Sequence, residues 1–219
     1  HSMILAAVDA DKPVLVEKPI TRTLEEARDL LERIGSHKVG VNYQYRYDRG
    51  CFQLYHAVRS GSLGRVHSVR INVPWHRTQA YFDGSPWHAS IERAGGGTLI
   101  TQGSHFLDAV LWALGEAPAG AYGYTASPGF NVEVETLAHG TVETEAGTLI
   151  SITSSMEAHR ESAVEIEVYG ERGTALYRDK PFPSVHFKGV HVKRGMFPVP
   201  GVHALQRSLV GFTRWVLDD

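Results

Sequence analysis

The chain carries a single cysteine, Cys51, among 219 residues. One thiol excludes an intrachain disulfide and agrees with a reducing compartment. No basic run is present, and with a formal net charge of −2 and both signs interspersed there is no electrostatic footprint for nucleic acid or an acidic membrane. The longest apolar stretches fall far short of the ~20 residues a membrane span needs, and no signal-peptide pattern occurs. The 12 histidines never fall at HExxH or similar spacing, so no metal is expected and scattered surface and core histidines account for them. The dinucleotide fingerprint GxGxxG, with an acidic residue ~20 positions on, is missing too. What remains is ordinary for a globular protein, with 42% hydrophobic residues and length enough for one large domain or two small ones. The expected address is the cytoplasm.

Both ends read as cut, which suggests a segment of a longer protein. The chain opens on His1 inside a helical pattern (Met3, Ile4, Ala7, Val8) and closes inside another (Leu205, Leu209, Phe212, Val216, Leu217) that has no capping glycine. Between them, a helix over residues 2–8 precedes a short apolar strand, Val14 to Val16. "TLEEARDLLERIGSHK" then carries a capping box, Thr23 with Glu26, and an apolar stripe of Leu24, Ala27, Leu30, Leu31 and Ile34 ended by Gly35. A second strand follows at Val39 to Val41. Helix, strand, helix, strand is the pattern of a parallel α/β sheet.

The texture then changes. A helix is expected from about Cys51 to Arg59, a strand in "RVHSVRINVPW", and a glycine turn leading into a helix in "GGGTLITQGSHFLDAVLWALG". From Gly120 to Lys193 the pattern is mostly strand with short turns, which points to a largely antiparallel sheet. The organisation is an α/β segment over residues 1–41 followed by an α+β domain over 42–219.

Two stretches carry possible chemistry. "VLVEKPI" ends an apolar strand in Glu17, Lys18 and Pro19. Ligands of open parallel sheets bind at the carboxyl ends of strands, where Lys18 would serve as a point charge or, if burial lowered its pKa, as a proton donor and acceptor. Pro19 would fix the backbone beside it, with a cis bond available. A solvated loop is the plainer alternative. In "GGGTLITQGSH" three glycines permit a close backbone approach to a ligand or another segment. Thr101 and His105, four apart, share a helix face, and His105 is a candidate acid or base, or else a core histidine bonded to a carbonyl. In the loop "PWHRTQAYFDGSPWH", Trp75, Tyr81 and Trp87 could stack on a sugar ring while His76 and Arg77 meet a hydroxyl, carboxylate or phosphate; equally, the aromatics could simply pack together.

In this order, with "VGVNYQYRYD", "SGSLGRVHSV" and "EIEVYGERGTALY" between and after them, these motifs resemble the Gfo/Idh/MocA family of nicotinamide-dependent oxidoreductases over essentially the whole chain. The resemblance implies a remnant of a Rossmann domain followed by an α+β domain with an open, mostly antiparallel sheet, used for homo-oligomer contacts. It implies catalytic roles for Lys18 and His105: His105 accepts the hydroxyl proton and Lys18 stabilises the alkoxide. Glu17, Lys18, Pro19 and Arg46 would border an NAD or NADP cofactor, with His1 near it. Thr101 and Gln102 would contact substrate together with Trp75, Arg77, Tyr81 and Trp87. Two departures stand out: Thr101 replaces an aspartate, so it can hydrogen-bond but not act as acid or base, and Arg49 replaces a proline. In the family the missing fingerprint would precede His1, so the segment alone is expected to bind NAD(P) poorly and to be inactive. The function implied is hydride transfer between nicotinamide and a secondary hydroxyl of a sugar, sugar derivative or cyclitol, with no nucleic-acid or membrane partner. The alternative is a non-catalytic carbohydrate-binding or oligomerisation module of the same fold.

Overall fold

A computed structural model describes residues 1–218, which divide into two compact units. The first comprises His1–Tyr47 and the chain from Pro198 onward. Helix α1 (Ser2–Asp9), strand β1 (Val14–Glu17), helix α2 (Leu24–Ile34) and strand β2 (Val39–Asn42) alternate as the sequence predicts. β1 and β2 pair in parallel, with Glu17 opposite Asn42, an arrangement that requires a crossover such as α2. Ile4, Leu5, Val8 and Leu30 form the core against Val14, Val16 and Val39. Leu24 and Leu31, which the apolar stripe of α2 includes, are exposed. The capping box forms with one change of partner. The Thr23 hydroxyl accepts from the Glu26 N–H at 3.2 Å, whereas the Glu26 carboxylate reaches the N–H of Arg22, at 3.1 Å.

The last helix, α7 (Ala204–Leu217), belongs to the first unit, which runs to Tyr47, whereas the sequence pattern divides the chain at residue 41/42. Arg207, 4% exposed, donates from its guanidinium to the carbonyls of Tyr47, Gly201 and Val202 at 2.6, 3.0 and 2.8 Å. The neighbouring Ser208 hydroxyl donates to the Asn42 side chain at 2.8 Å. A buried guanidinium satisfied by three carbonyls fastens the helix more firmly than its short apolar stripe would alone. Nothing in local periodicity pairs residue 207 with residue 47.

The second unit, Asp48–Phe197, holds a seven-stranded sheet. Its elements are α3 (Arg49–Arg59), β3 (Val66–Pro74), the short helices α4 (Gln79–Asp83) and α5 (Ile91–Ala94), α6 (Ser104–Leu114), β4 (Pro118–Ala126), β5 (Leu137–Thr144), β6 (Leu149–Ser155), β7 (Glu165–Gly170), β8 (Thr174–Arg178) and β9 (Ser184–Lys188). The spatial order is β4-β5-β6-β3-β7-β8-β9; β3 pairs in parallel with β6 and every other pair is antiparallel. Strand alternation sorts the two faces. Val69, Ile71, Val73, Ile150, Ile152, Ile166 and Val168 are buried on one, where α3 and α6 contribute Leu54, Ala57, Phe106, Ala109 and Val110. The other face is open and polar, and Arg178 meets Glu165 there at 2.7 Å. β9 closes the sheet at the end of the strand-rich stretch. Among the described residues no helix is long and apolar enough to cross a membrane, and no group of three or more His, Cys, Asp or Glu side chains is placed to hold a metal.

Asp48 begins the second unit by capping α3, accepting the N–H groups of Gly50 and Cys51 at 2.8 and 3.0 Å from a buried position. Asp48→Ala should lower stability by about 1–2 kcal/mol; chemical denaturation monitored through α3 reads the loss, and an unchanged midpoint would show the cap to be idle.

Candidate functional site

The parallel strands of the first unit end where the sequence places its first chemical group. Glu17 closes β1 with an exposed side chain, and Lys18 and Pro19 follow, half-buried, across a cis peptide bond. Burial drives the Lys18 ammonium below its ordinary pKa of 10.5, an effect that the negative charge of Glu17 only partly opposes. Glu17 is oriented from beneath. The Asn42 amide, 4% exposed at the end of β2, donates to one carboxylate oxygen at 2.7 Å, and the Asn42 carbonyl in turn accepts from Ser208. This Ser208–Asn42–Glu17 relay was not foreseen, because its three members lie on three separate elements. Arg46, in a 3-10 turn (Gln44–Tyr47), stands over the Tyr43 ring at 6.0 Å. His1 does not stand alone at the chain end: its ring bonds the Asp29 carboxylate at 2.6 Å.

In the second unit the glycine triplet does the work of close packing. Gly95 is left-handed at φ 79°, ending α5, and at Gly97 an added Cβ would lie 1.8 Å from the Glu135 carbonyl oxygen. The segment that approaches is therefore protein rather than ligand. Glu135 accepts the N–H groups of Gly97 and Leu99 on its carboxylate, at 2.7 and 2.9 Å, and the N–H of Thr98 on its backbone carbonyl at 2.8 Å. The chain then makes one π-helical turn, Leu99–Gly103, and runs without a break into α6. Such a turn inserts a residue into the helical register and is common at functional positions.

That turn carries two of the expected site residues and leads into the third. Thr101 donates from its hydroxyl to the Gly97 carbonyl at 2.6 Å. Gln102, 3% exposed, accepts on its amide oxygen from the Thr98 hydroxyl at 3.0 Å, and Thr98 meets the Ser154 hydroxyl at 2.9 Å. Both side chains expected to reach substrate are thus also engaged in the interior. His105 lies in the first turn of α6, 7% exposed.

The loop residues gather into a separate cluster. The Arg77 guanidinium sits between the rings of Trp75 and Tyr81, 5.2 and 5.4 Å from their centroids, and pairs with Glu161 at 3.0 Å. Tyr81 stacks on His88 at 4.4 Å, and Trp87, 46% exposed, leans on the same histidine at 3.7 Å. Burial raises the Tyr81 pKa and lowers that of His88. The hydrogen bond from Lys180, and then that from Arg77, hold Glu161 below the ordinary carboxylate range. His76 bonds the Ala158 carbonyl at 2.6 Å. Of this group, Trp87 presents the most open face.

Residues 132–136, "VEVET", join the cluster to the turn, with Val134 and Thr136 buried. The Glu133 carboxylate accepts the Ile91 N–H at 3.1 Å and its N–H donates to Ala89, while Glu135 holds the glycine turn. No spacing rule relates residue 135 to residue 97.

The first unit thus holds a parallel α/β segment and the second an α+β domain with an open, mostly antiparallel sheet. Residues 52–176 match the GFO/IDH/MocA C-terminal domain, and residues 1–45 match the oxidoreductase family NAD-binding Rossmann fold. The chain belongs to the Gfo/Idh/MocA family of oxidoreductases. It is 26% identical to 1,5-anhydro-D-fructose reductase of Ensifer adhaerens, over 95% of this chain and 63% of that protein. It is 31% identical to inositol 2-dehydrogenase 2 of Saccharopolyspora erythraea, over 85% of this chain and 53% of the relative. The WlbA dehydrogenase of Bordetella pertussis, solved with NADH and UDP-GlcNAcA, superposes with a TM-score of 0.79 at 25% identity, over 86% of this chain and 55% of that one. The chain thus spans little more than half to five-eighths of the length of these relatives.

Gly97→Ala should be among the most damaging single changes in the second unit, costing about 3 kcal/mol or more, because the backbone of Glu135 cannot retreat without breaking three hydrogen bonds. Thermal unfolding measures this; a loss under ~1 kcal/mol would mean that the turn can re-form elsewhere.

Proposed function

We propose that the protein transfers hydride between a nicotinamide dinucleotide, NAD or NADP, and a secondary hydroxyl of a sugar, sugar derivative or cyclitol. The observation that carries this reading is Lys18: a half-buried ammonium with a lowered pKa at the carboxyl end of a parallel strand. Such a cation is costly to bury, and a solvated loop would not desolvate it. The family membership and the sugar- and cyclitol-named relatives support the substrate class.

The residues at the end of β1 fit the nicotinamide half of such a cofactor. Glu17 has one oxygen held by Asn42 and an exposed carboxylate able to accept ribose hydroxyls, while Lys18, Pro19 and Arg46 complete the border. When bound, the nicotinamide supplies the hydride acceptor or donor. The rest of the chemistry falls to the chain. His105 takes the proton as the hydroxyl becomes a ketone, and Lys18 stabilises the charge that develops on oxygen. Thr101 and Gln102 border the substrate beside His105, and the exposed face of Trp87 offers a stacking surface, with Trp75, Tyr81 and Arg77 fixing its loop. Self-association through the open face of the seven-stranded sheet and a cytoplasmic address complete the reading.

In turnover assays of the complete protein with NAD(P) and a panel of sugars and cyclitols, Lys18→Ala and His105→Ala should each lower kcat about 100-fold or more, with sugar binding, measured by calorimetry, far less affected. Because the charged form of Lys18 is the useful one, the alkaline limb of kcat should fall below the ordinary lysine value of 10.5. Sugar binding without turnover in the unmutated protein would favour a non-catalytic binding module.

A further inference from the structure

We infer that Glu135 is the positioning residue for His105, an assignment that rests on the proton-acceptor role proposed above. Its carboxylate touches no reacting atom. It takes the N–H groups of Gly97 and Leu99, two donors that the start of a helical segment leaves without an intrahelical partner. A carboxylate in that position also opposes the positive end of the helix that follows. The cap comes from a distant segment instead of the preceding residue, so it locks the turn to the sheet as well as satisfying it.

From Glu135 the constraint passes along bonded atoms to the histidine. The Gly97 carbonyl accepts both the N–H and the hydroxyl of Thr101, at 2.9 and 2.6 Å. Thr101 lies within the π-turn, and His105 follows two residues after that turn ends. A π-turn that relaxed to ordinary α-helix would rotate the helix that follows by about one residue, roughly 100°. The direction of His105 therefore depends on the turn keeping its register, and the register depends on where Gly97 and Leu99 are held. Glu135 can hold them because it is itself fixed: Val134 and Thr136 are buried on either side, Thr136 donates its N–H to Ala126 and its carbonyl accepts from Met156, and the Thr136 hydroxyl bonds Glu157.

The test uses Glu135→Gln, which keeps the size of the side chain but sets an amide N–H against one of two backbone donors. Glu135→Asp, which retains the charge but is too short for both bonds, substitutes for it should the first variant not fold. Two readouts are taken on folded protein: steady-state kinetics, and the imidazole resonances of His105 by ¹H–¹⁵N NMR with His56 and His186 of the same unit as controls. The expected result is a fall of roughly tenfold or more in kcat with KM changed less than about twofold, together with a shift confined to the His105 ring. Unmoved His105 resonances, or an unchanged kcat alongside altered Gly97 and Leu99 amide shifts, would overturn the assignment. Should the complete, unmutated protein show no hydride transfer with any substrate, the functional reading fails and the NMR comparison alone decides whether Glu135 positions His105.

Discussion

The contact between Gly97 and the backbone of Glu135 is the constraint on which the start of α6 depends. Two chain segments 38 residues apart approach so closely that no side chain fits between them, and the contact leaves three N–H groups that must find acceptors. One glutamate supplies all three, two on its carboxylate and one on its carbonyl. Everything near it follows from that arrangement: the glycine triplet, the π-turn, the internal bond of Thr101 to Gly97, and the start of α6 at a place where its second residue is a histidine. A helix begun by an ordinary serine or aspartate cap would need none of these, and would not be tied to the sheet.

The first unit solves a similar problem by another route. Its two parallel strands end side by side in Glu17 and Asn42, and a carboxylate at the mouth of such a sheet is useful only if it faces one way. Asn42 is buried and has exactly opposed needs at its two amide ends, a donor to be accepted and an acceptor to be filled. Glu17 and Ser208 meet them at 2.7 and 2.8 Å. A helix from the far end of the sequence therefore helps to orient a residue of the first strand, with Arg207 holding that helix in place.

Much of this could be read in the amino-acid sequence, and what could not has a common cause. The strands ending at Glu17 and Asn42, the Thr23 cap, and the turn-to-helix passage through His105 are local patterns, and they appear where periodicity and spacing put them. The place of α7 was not legible, because it returns to the first unit through Arg207 and Ser208, side chains whose partners lie some 160 residues away. Glu135 escaped notice for the same reason: in "VEVET" it looks like the solvated side of a strand. The glycine triplet allowed two readings, approach to a ligand or to another segment, and only the position of Glu135 decides between them. The setting of Arg77 was equally hidden: its guanidinium stands over the rings of Trp75 and Tyr81 and pairs with Glu161, partners that no local pattern assigns to it.

The question raised by an apolar strand ending in Glu-Lys-Pro has a physical answer in the unequal exposure of its residues. Glu17 is solvated and held at one oxygen, whereas Lys18 is half-buried, and its neighbour's charge does not make up for the water it has lost. The carboxylate is turned toward Asn42, whose buried amide fixes one of its oxygens, so the negative charge that opposes the burial of the neighbouring ammonium is held at a set place beside it.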